Sequence, residues 1–326
     1  MRRIMVGAGV ALALLSGACG SDDGGDGKDA APAPARSDAR RPPEAGAVLA
    51  ALAPLPGGGL RGGVLTTGII RDVLVAGGRR ATGRAARTLV RLPVSTGGQR
   101  GLLGLVVDGR GRTFAAFTTT GGAERLVVEQ VLPGPRRRVW TGSPSTDLAD
   151  GGHLERLGSG RLVIGVGDLQ DPARTPDDGS PNGKLLSLDP DGPAIQEPRV
   201  LSRGWNNPFA FARIGGSGPD ADGLLVADNA PGRRPERIAR GDADGLAPRD
   251  VTELSERIAP SGLAVLRPDE IAVCGVRSGT LTRYRRRAGG RWRAAGTLAP
   301  CSFGVARLTD GRLAVSTARG VRIINP

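Results

Sequence analysis

Aromatic residues make up only 3% of this 326-residue chain, histidine occurs once, at His153, and lysine twice, at Lys28 and Lys184. Scarce aromatics weaken any reading that needs stacking platforms for single-stranded nucleic acids, so no nucleic-acid partner is expected, with polyanion binding through the basic charge alone as an alternative. A single histidine leaves no His-rich zinc-ligand spacing. Ser261, between Pro260 and Gly262, lacks the Gly-x-Ser-x-Gly form of a nucleophile elbow, and no glycine loop has the phosphate-binding pattern. The apolar run Ile4 to Leu15 is 12 residues, too short to span a bilayer, which argues against a multispan membrane protein.

In place of these, the chain has 53 Gly, 25 Pro and a formal charge of +13 carried almost entirely by arginine. So many turn formers exclude long helices and point to a turn-rich β protein. With 39% apolar residues the chain can bury a core, and its length is compatible with one large β domain. The arginines are dispersed singly and in short clusters such as Arg136 to Arg138 and Arg285 to Arg287, the pattern of solvated surface positions. Asp220 and Asp222 before Gly223, and Asp242 and Asp244 before Gly245, lack the later bidentate Glu of a calcium loop and read as hairpin turns.

The first 18 residues read as an export signal: a charged start at Arg2 and Arg3, an apolar stretch, then small residues ending at Cys19. Leu15-Ser16-Gly17-Ala18-Cys19 resembles the lipobox of bacterial lipoproteins, with the leucine one residue further upstream than the commonest form; ordinary secretory cleavage is the alternative. Residues 19–46 are rich in Gly, Asp, Ala and Pro and read as a disordered tether. Acylation of Cys19 would anchor the protein to the outer face of the cytoplasmic membrane, with the membrane as its first partner. Export also places Cys274 and Cys301 in an oxidising compartment, where a disulfide between them is expected; two buried free thiols is the alternative.

From residue 47 to 326 a pattern recurs: a tight turn, then a short run of β-formers. Six copies stand at Gly62–Thr67, Gly111–Thr118, Gly160–Asp168, Gly223–Asp228, Glu270–Gly275 and Gly311–Thr317, spaced on average about 50 residues apart. That spacing suits a four-stranded blade, which cannot bury both faces alone, so the expected fold is an all-β, six-bladed β-propeller; a sandwich or partial barrel is the competing class. Ligands of such a ring meet loops converging at one mouth of its central channel.

Several motifs then carry a resemblance. Gly98 to Gly104 (GQRGLLG), Gly165 to Asp168 (GVGD) with Gly183 to Leu185 beyond, Asn207-Pro208, Val226 to Pro231 (VADNAP) with Glu236 beyond, and Pro260 to Ala264 (PSGLA) resemble, in order, signatures of the soluble quinoprotein glucose and sorbosone dehydrogenases. The resemblance implies a six-bladed propeller holding pyrroloquinoline quinone, usually with calcium, over the channel mouth, and oxidation of an aldose by hydride transfer to the quinone.

Carried over residue by residue, much of that site is altered. The family's general-base position is Ala149, and the only histidine, His153, lies four residues on. The arginine expected before Asn207 is Asn206, a late Arg-x-Arg segment is replaced by Cys301, Ser302 and Phe303, and Glu236-Arg237-Ile238 loses a side-chain oxygen. The expected candidates are His153 and Asp150 for catalysis and Gln99, Asn207, Asp228 and Glu236 for ligand or cofactor binding, with no confident metal site. Arg233 and Arg234 are candidates for an anion. Function is therefore expected to be binding or scaffolding by a catalytically degraded member, with a sugar or other polar cell-envelope molecule as ligand. The alternative is a working aldose dehydrogenase that uses pyrroloquinoline quinone and calcium.

Overall fold

The computed structural model describes residues 49–73, 87–215, 223–231, 234–241 and 245–326. The expected export signal, the expected tether with Cys19, the start of the expected propeller segment at residue 47, Arg233, and the acids Asp220, Asp222, Asp242 and Asp244 lie outside the described residues.

Among the described residues, twenty-three strands form six antiparallel sheets arranged in chain order. Blade 1 comprises β1 (Leu49–Pro54), β2 (Leu60–Val64), β3 (Ile69–Val73) and β4 (Arg87–Arg91). Blade 2 comprises β5 (Leu102–Val107), β6 (Thr113–Thr118), β7 (Arg125–Leu132) and β8 (Arg137–Pro144). Blade 3 comprises β9 (Gly151–Arg156), β10 (Leu162–Val166), β11 (Lys184–Leu188) and β12 (Arg199–Arg203). Blade 4 comprises β13 (Asn207–Arg213), β14 (Leu224–Asn229), β15 (Arg237–Arg240) and β16 (Arg249–Glu253). Blade 5 comprises β17 (Pro260–Arg267), β18 (Glu270–Gly275), β19 (Thr280–Arg286) and β20 (Trp292–Pro300), and blade 6 β21 (Gly304–Arg307), β22 (Leu313–Thr317) and β23 (Gly320–Ile324). The one helical turn among the described residues is the 3-10 turn Pro172–Arg174, and none of their helices is long and apolar enough to cross a membrane.

The first strand of each blade packs against the first strand of the next, and β21 returns to β1, where the Ser316 hydroxyl donates to the Leu49 carbonyl and closes the ring. The core follows from this geometry. It is divided into six apolar clusters, one at each interface between neighbouring blades, because a sheet with two greasy faces needs a partner on each side. Inner strands approach so closely that a Cβ on Gly104 would lie 2.2 Å from the Gly152 carbonyl oxygen.

Every one of the six sequence repeats falls on the second strand of a blade: β2, β6, β10, β14, β18 and β22. β6, β10 and β18 are buried at every position, so they read as unbroken apolar runs. The expected pairing of Cys274 with Cys301 is present. The bond joins β18 to the link between blades 5 and 6, inside the cluster those blades share.

Candidate ligand cavity at the channel mouth

Gln99 precedes β5, Ala149 precedes β9 and Asn207 opens β13, so the connections leading into the inner strands of blades 2, 3 and 4 converge at one end of the ring. Together with the turns after β10 and β14 they enclose a cavity of about 800 Å3. Its polar lining is dominated by primary amides, from Gln99, Gln170, Asn206, Asn207 and Asn229, with one carboxylate, Asp168, and one guanidinium, Arg234.

The amides are held in place by one another and by backbone. Gln99 Oε1 accepts from the Ala149 amide at 2.8 Å and from Asn207 Nδ2 at 3.2 Å, while Asn207 Oδ1 accepts from the Gly151 amide at 3.1 Å. Gln99 thus ties blade 2 to blades 3 and 4. Across the cavity Asn206 Nδ2 donates to Asp168 Oδ2 at 2.5 Å, and Asp168 Oδ1 accepts from the Gln170 amide at 2.9 Å. Burial pushes the Asp168 carboxyl above its ordinary value, opposed by the Gln170 and Asn206 hydrogen bonds and by the charge of Arg234.

The backbone at the mouth is strained. Ala149 (φ 60°), Leu169 (φ 53°) and Gln170 (φ 61°) all occupy the left-handed region, unusual for residues with a Cβ and characteristic of ligand-holding loops. Gly167 permits the crossing of the two loops, since a Cβ there would lie 1.8 Å from the Ala149 carbonyl oxygen.

Of the residues singled out from sequence, Gln99, Asn207 and Arg234 line the cavity, as do Ala149 and Asn206 at the altered positions. The others are placed elsewhere. His153 lies within β9, its ring edge-on to Phe211 of blade 4 with centroids 4.6 Å apart, and burial pushes its imidazole down to about 4. It is neutral near pH 7, packs against Phe211 between blades 3 and 4, and is not among the residues lining the cavity. Asp150, next in the chain to the cavity-lining Ala149, is fully buried and does not line the cavity. Its Oδ1 accepts from the Thr146 amide at 2.9 Å, its Oδ2 has no hydrogen-bond partner among the described residues, and burial pushes it up to about 6.

Asp228 and Glu236 are likewise spent on the fold. Asp228 accepts from the Asn207 amide at 2.9 Å, the Asn206 amide at 3.2 Å, and Arg237 Nε and Nη2 at 3.1 and 2.9 Å, and Arg237 in turn stacks on Trp205. Glu236 accepts from the Ile258 and Ala259 amides at 2.7 and 3.1 Å, shaping the entry to blade 5. Both acids position backbone and offer no free oxygen set to a cation. Sequence reasoning passed over Gln170 and Asn229, and it counted Asn206 only as a lost arginine; no local signal marks an amide as lining a pocket.

The cofactor implied by the resemblance finds few of the groups it needs. A quinone tricarboxylate calls for several cations, and the described cavity offers Arg234 alone; Lys184 is buried, with its ammonium donating to the carbonyls of Thr175 and Asn182 at 2.9 and 3.1 Å. No group of three or more acidic, His or Cys side chains able to hold a metal occurs among the described residues. The described residues do not fit pyrroloquinoline quinone with calcium.

No protein-family model matches the chain, and no curated protein sequence matches it. Solved structures do. A putative oxidoreductase described as a glucose dehydrogenase, from Thermus thermophilus, is 24% identical, with 85% of this chain and 95% of that one covered and a TM-score of 0.66. The PQQ-bound aldose sugar dehydrogenase of Streptomyces coelicolor is 21% identical over 85% and 92% of the two chains, TM-score 0.64. The apo soluble aldose sugar dehydrogenase of Escherichia coli is 19% identical over 85% and 95%, TM-score 0.66. With its six-sheet ring and these neighbours, the chain has the six-bladed β-propeller fold found in soluble aldose and glucose dehydrogenases.

Proposed function

We propose that this is an exported lipoprotein, anchored through Cys19 to the outer face of the cytoplasmic membrane, whose propeller binds a polyhydroxylated ligand in the mouth cavity and does not oxidise it. A sugar or a sugar-bearing cell-envelope molecule is the ligand class. The observation that carries this reading is the amide lining. A primary amide donates and accepts at once, which matches a hydroxyl group, and five of them around one cavity suit a neutral polyol better than an anion.

Two further features support binding without turnover. The position where a base is expected holds the methyl group of Ala149, and the one histidine is packed against Phe211. Asp168, the cavity's carboxylate, already accepts from Asn206 and Gln170.

Calorimetric titration of the protein with a panel of neutral and acidic saccharides tests the reading. Binding that falls about tenfold or more in Gln99→Ala and Asn207→Ala supports it. Aldose-dependent dye reduction after addition of pyrroloquinoline quinone and calcium would overturn it in favour of a working dehydrogenase. Incorporation of labelled fatty acid, lost in Cys19→Ser, tests the anchor.

A further inference from the structure

Only two of the 45 basic residues are lysines, and Lys184 is the only lysine among the described residues. It is also completely buried. In a chain so biased toward arginine, a lysine at an enclosed position calls for a physical reason, and the backbone around it supplies one. Lys184 opens β11, and the connection before it, residues 167–183, carries three cavity-lining residues, Asp168, Gln170 and Pro172. Little of that connection is held by apolar burial: residues 170–179 are exposed apart from the half-buried Thr175, and its one regular element is the 3-10 turn Pro172–Arg174. Polar contacts hold it instead. Lys184 Nζ donates to the Thr175 carbonyl on the outgoing limb at 2.9 Å and to the Asn182 carbonyl on the returning limb at 3.1 Å. Asn182 passes the constraint on, since its Nδ2 donates to the Asp168 carbonyl at 3.2 Å, and beside it the Gly183 amide donates to the Gly167 carbonyl at 2.8 Å.

The returning limb is rich in acceptors. Besides the carbonyl that meets Lys184, Asn182 has a buried Oδ1 with no donor among the described residues. An ammonium is a compact charge with three donors on a thin stem and can reach oxygens on two limbs at once, whereas a guanidinium carries its donors in a wide planar fork suited to carboxylates. The same connection shows the contrast. Arg203 on β12 meets it from the exposed side, donating to Asp178 Oδ1 at 2.6 Å and to the Pro176 carbonyl at 3.2 Å. Burial pushes the Lys184 ammonium below its ordinary 10.5, and the charges of Asp178 and Asp177 act against that.

We propose that Lys184 is a positioning residue of the mouth cavity: its ammonium acts as a built-in cation that clasps the two limbs of the β10–β11 connection and so fixes where Asp168 and Gln170 are presented to a ligand. The connection then needs no bound metal to keep its shape. Lys184 does not line the cavity and acts only through Thr175 and Asn182. The effect on binding rests on the reading of the cavity as a saccharide site; the clasp itself does not.

The test compares the full chain with Lys184→Met, which fills similar space without charge, and Lys184→Arg, which keeps the charge in the wrong shape. Amide hydrogen exchange read without any ligand should be about tenfold or more faster across residues 168–182 in Lys184→Met, while the amides of β9, β10 and β11 keep their protection. Lys184→Arg should recover little of the lost protection. Calorimetric titration with the neutral saccharides of the panel should show binding weakened about tenfold in both variants. Wild type is read directly by lysine-selective nitrogen labelling: one slowly exchanging ammonium signal is expected at neutral pH, lost in Lys184→Met, so the clasp is tested even if the variants fold poorly. Absence of that signal, unchanged loop exchange in Lys184→Met, or full recovery in Lys184→Arg would overturn the proposal, whatever the cavity binds. A wild type that binds no saccharide would instead overturn the reading of the cavity and leave the exchange and ammonium results to decide on the clasp.

Discussion

Replacing Asp150 with asparagine should stabilise the protein at neutral pH. The Asp150 carboxyl is fully buried, and its Oδ2 has no partner among the described residues. Burial raises it from an ordinary 3.8 to about 6, against the opposing pull of the Thr146 amide. Because the folded value lies above the unfolded one, the native state holds the proton longer, and stability falls as pH rises through that window. Below pH 3.8 both states are protonated and nothing is lost; above about 6 the full penalty is present.

At 1.36 kcal/mol per pH unit the gap corresponds to about 3 kcal/mol. For a domain of this size that is about 6–12 °C in Tm at about 2–4 °C per kcal/mol. Asparagine keeps an oxygen for the Thr146 amide and carries no charge to desolvate, so Asp150→Asn should gain most of this above pH 6 and almost none at pH 4. The assay is thermal unfolding of both proteins from pH 4 to pH 8. Taking the difference between the two curves removes the other buried acids, Glu155 and Asp228, which burial also pushes upward. A variant less stable than wild type at pH 7.5, or a difference that does not grow between pH 4 and 6, would refute the reasoning.

Asp228→Ala leaves Arg237, whose side chain is only 26% exposed, without its carboxylate and frees the Asn206 and Asn207 amides; it should cost about 2–3 kcal/mol in chemical denaturation and weaken saccharide binding more than Tm alone would suggest. Gly167→Ala drives a Cβ into the Ala149 carbonyl and should cost about 3 kcal/mol while reshaping the cavity, read as loss of binding in protein that still melts cooperatively. Joint replacement of Cys274 and Cys301 by alanine opens a loop of 27 residues and should lower stability by about 3.5 kcal/mol on the chain-entropy relation, with wild type in reductant behaving alike.

How far each feature can be read from the chain depends on its burial. The second strands are enclosed on both faces by neighbouring blades, so Phe114 to Phe117 or Leu162 to Val166 stand out as short continuous apolar runs, and their spacing alone implies the six-fold ring. Outer strands leave no comparable trace. β20 buries Trp292 and then exposes most of its length, and β16 is exposed at four of five positions, so neither shows a period. The pairing of Cys274 with Cys301 was legible because only two cysteines remain after Cys19.

The site was legible in part. Gln99 and Asn207 were marked by their motifs and do meet, joined at 3.2 Å although 108 residues apart. Asp228 and Glu236 were read as ligands because an acid in a glycine-rich loop has the same local signature whether it faces a cavity or caps backbone amides. Only packing decides between these, by determining which N–H groups arrive at the carboxylate. His153 illustrates the same point: its place in the chain is close to the mouth, yet it falls on a strand whose alternation turns the ring toward Phe211.

Repetition, turn chemistry and cysteine count are properties of neighbouring residues, so the order of residues by itself determined the β class, the number of blades and the disulfide. Which amides share a cavity and which acids are exhausted within the fold depend on contacts between segments far apart in the chain. Those were decided only when the blades closed into a ring, because closure brings the blade-entry connections together at one end and sends the paired-strand turns to the other.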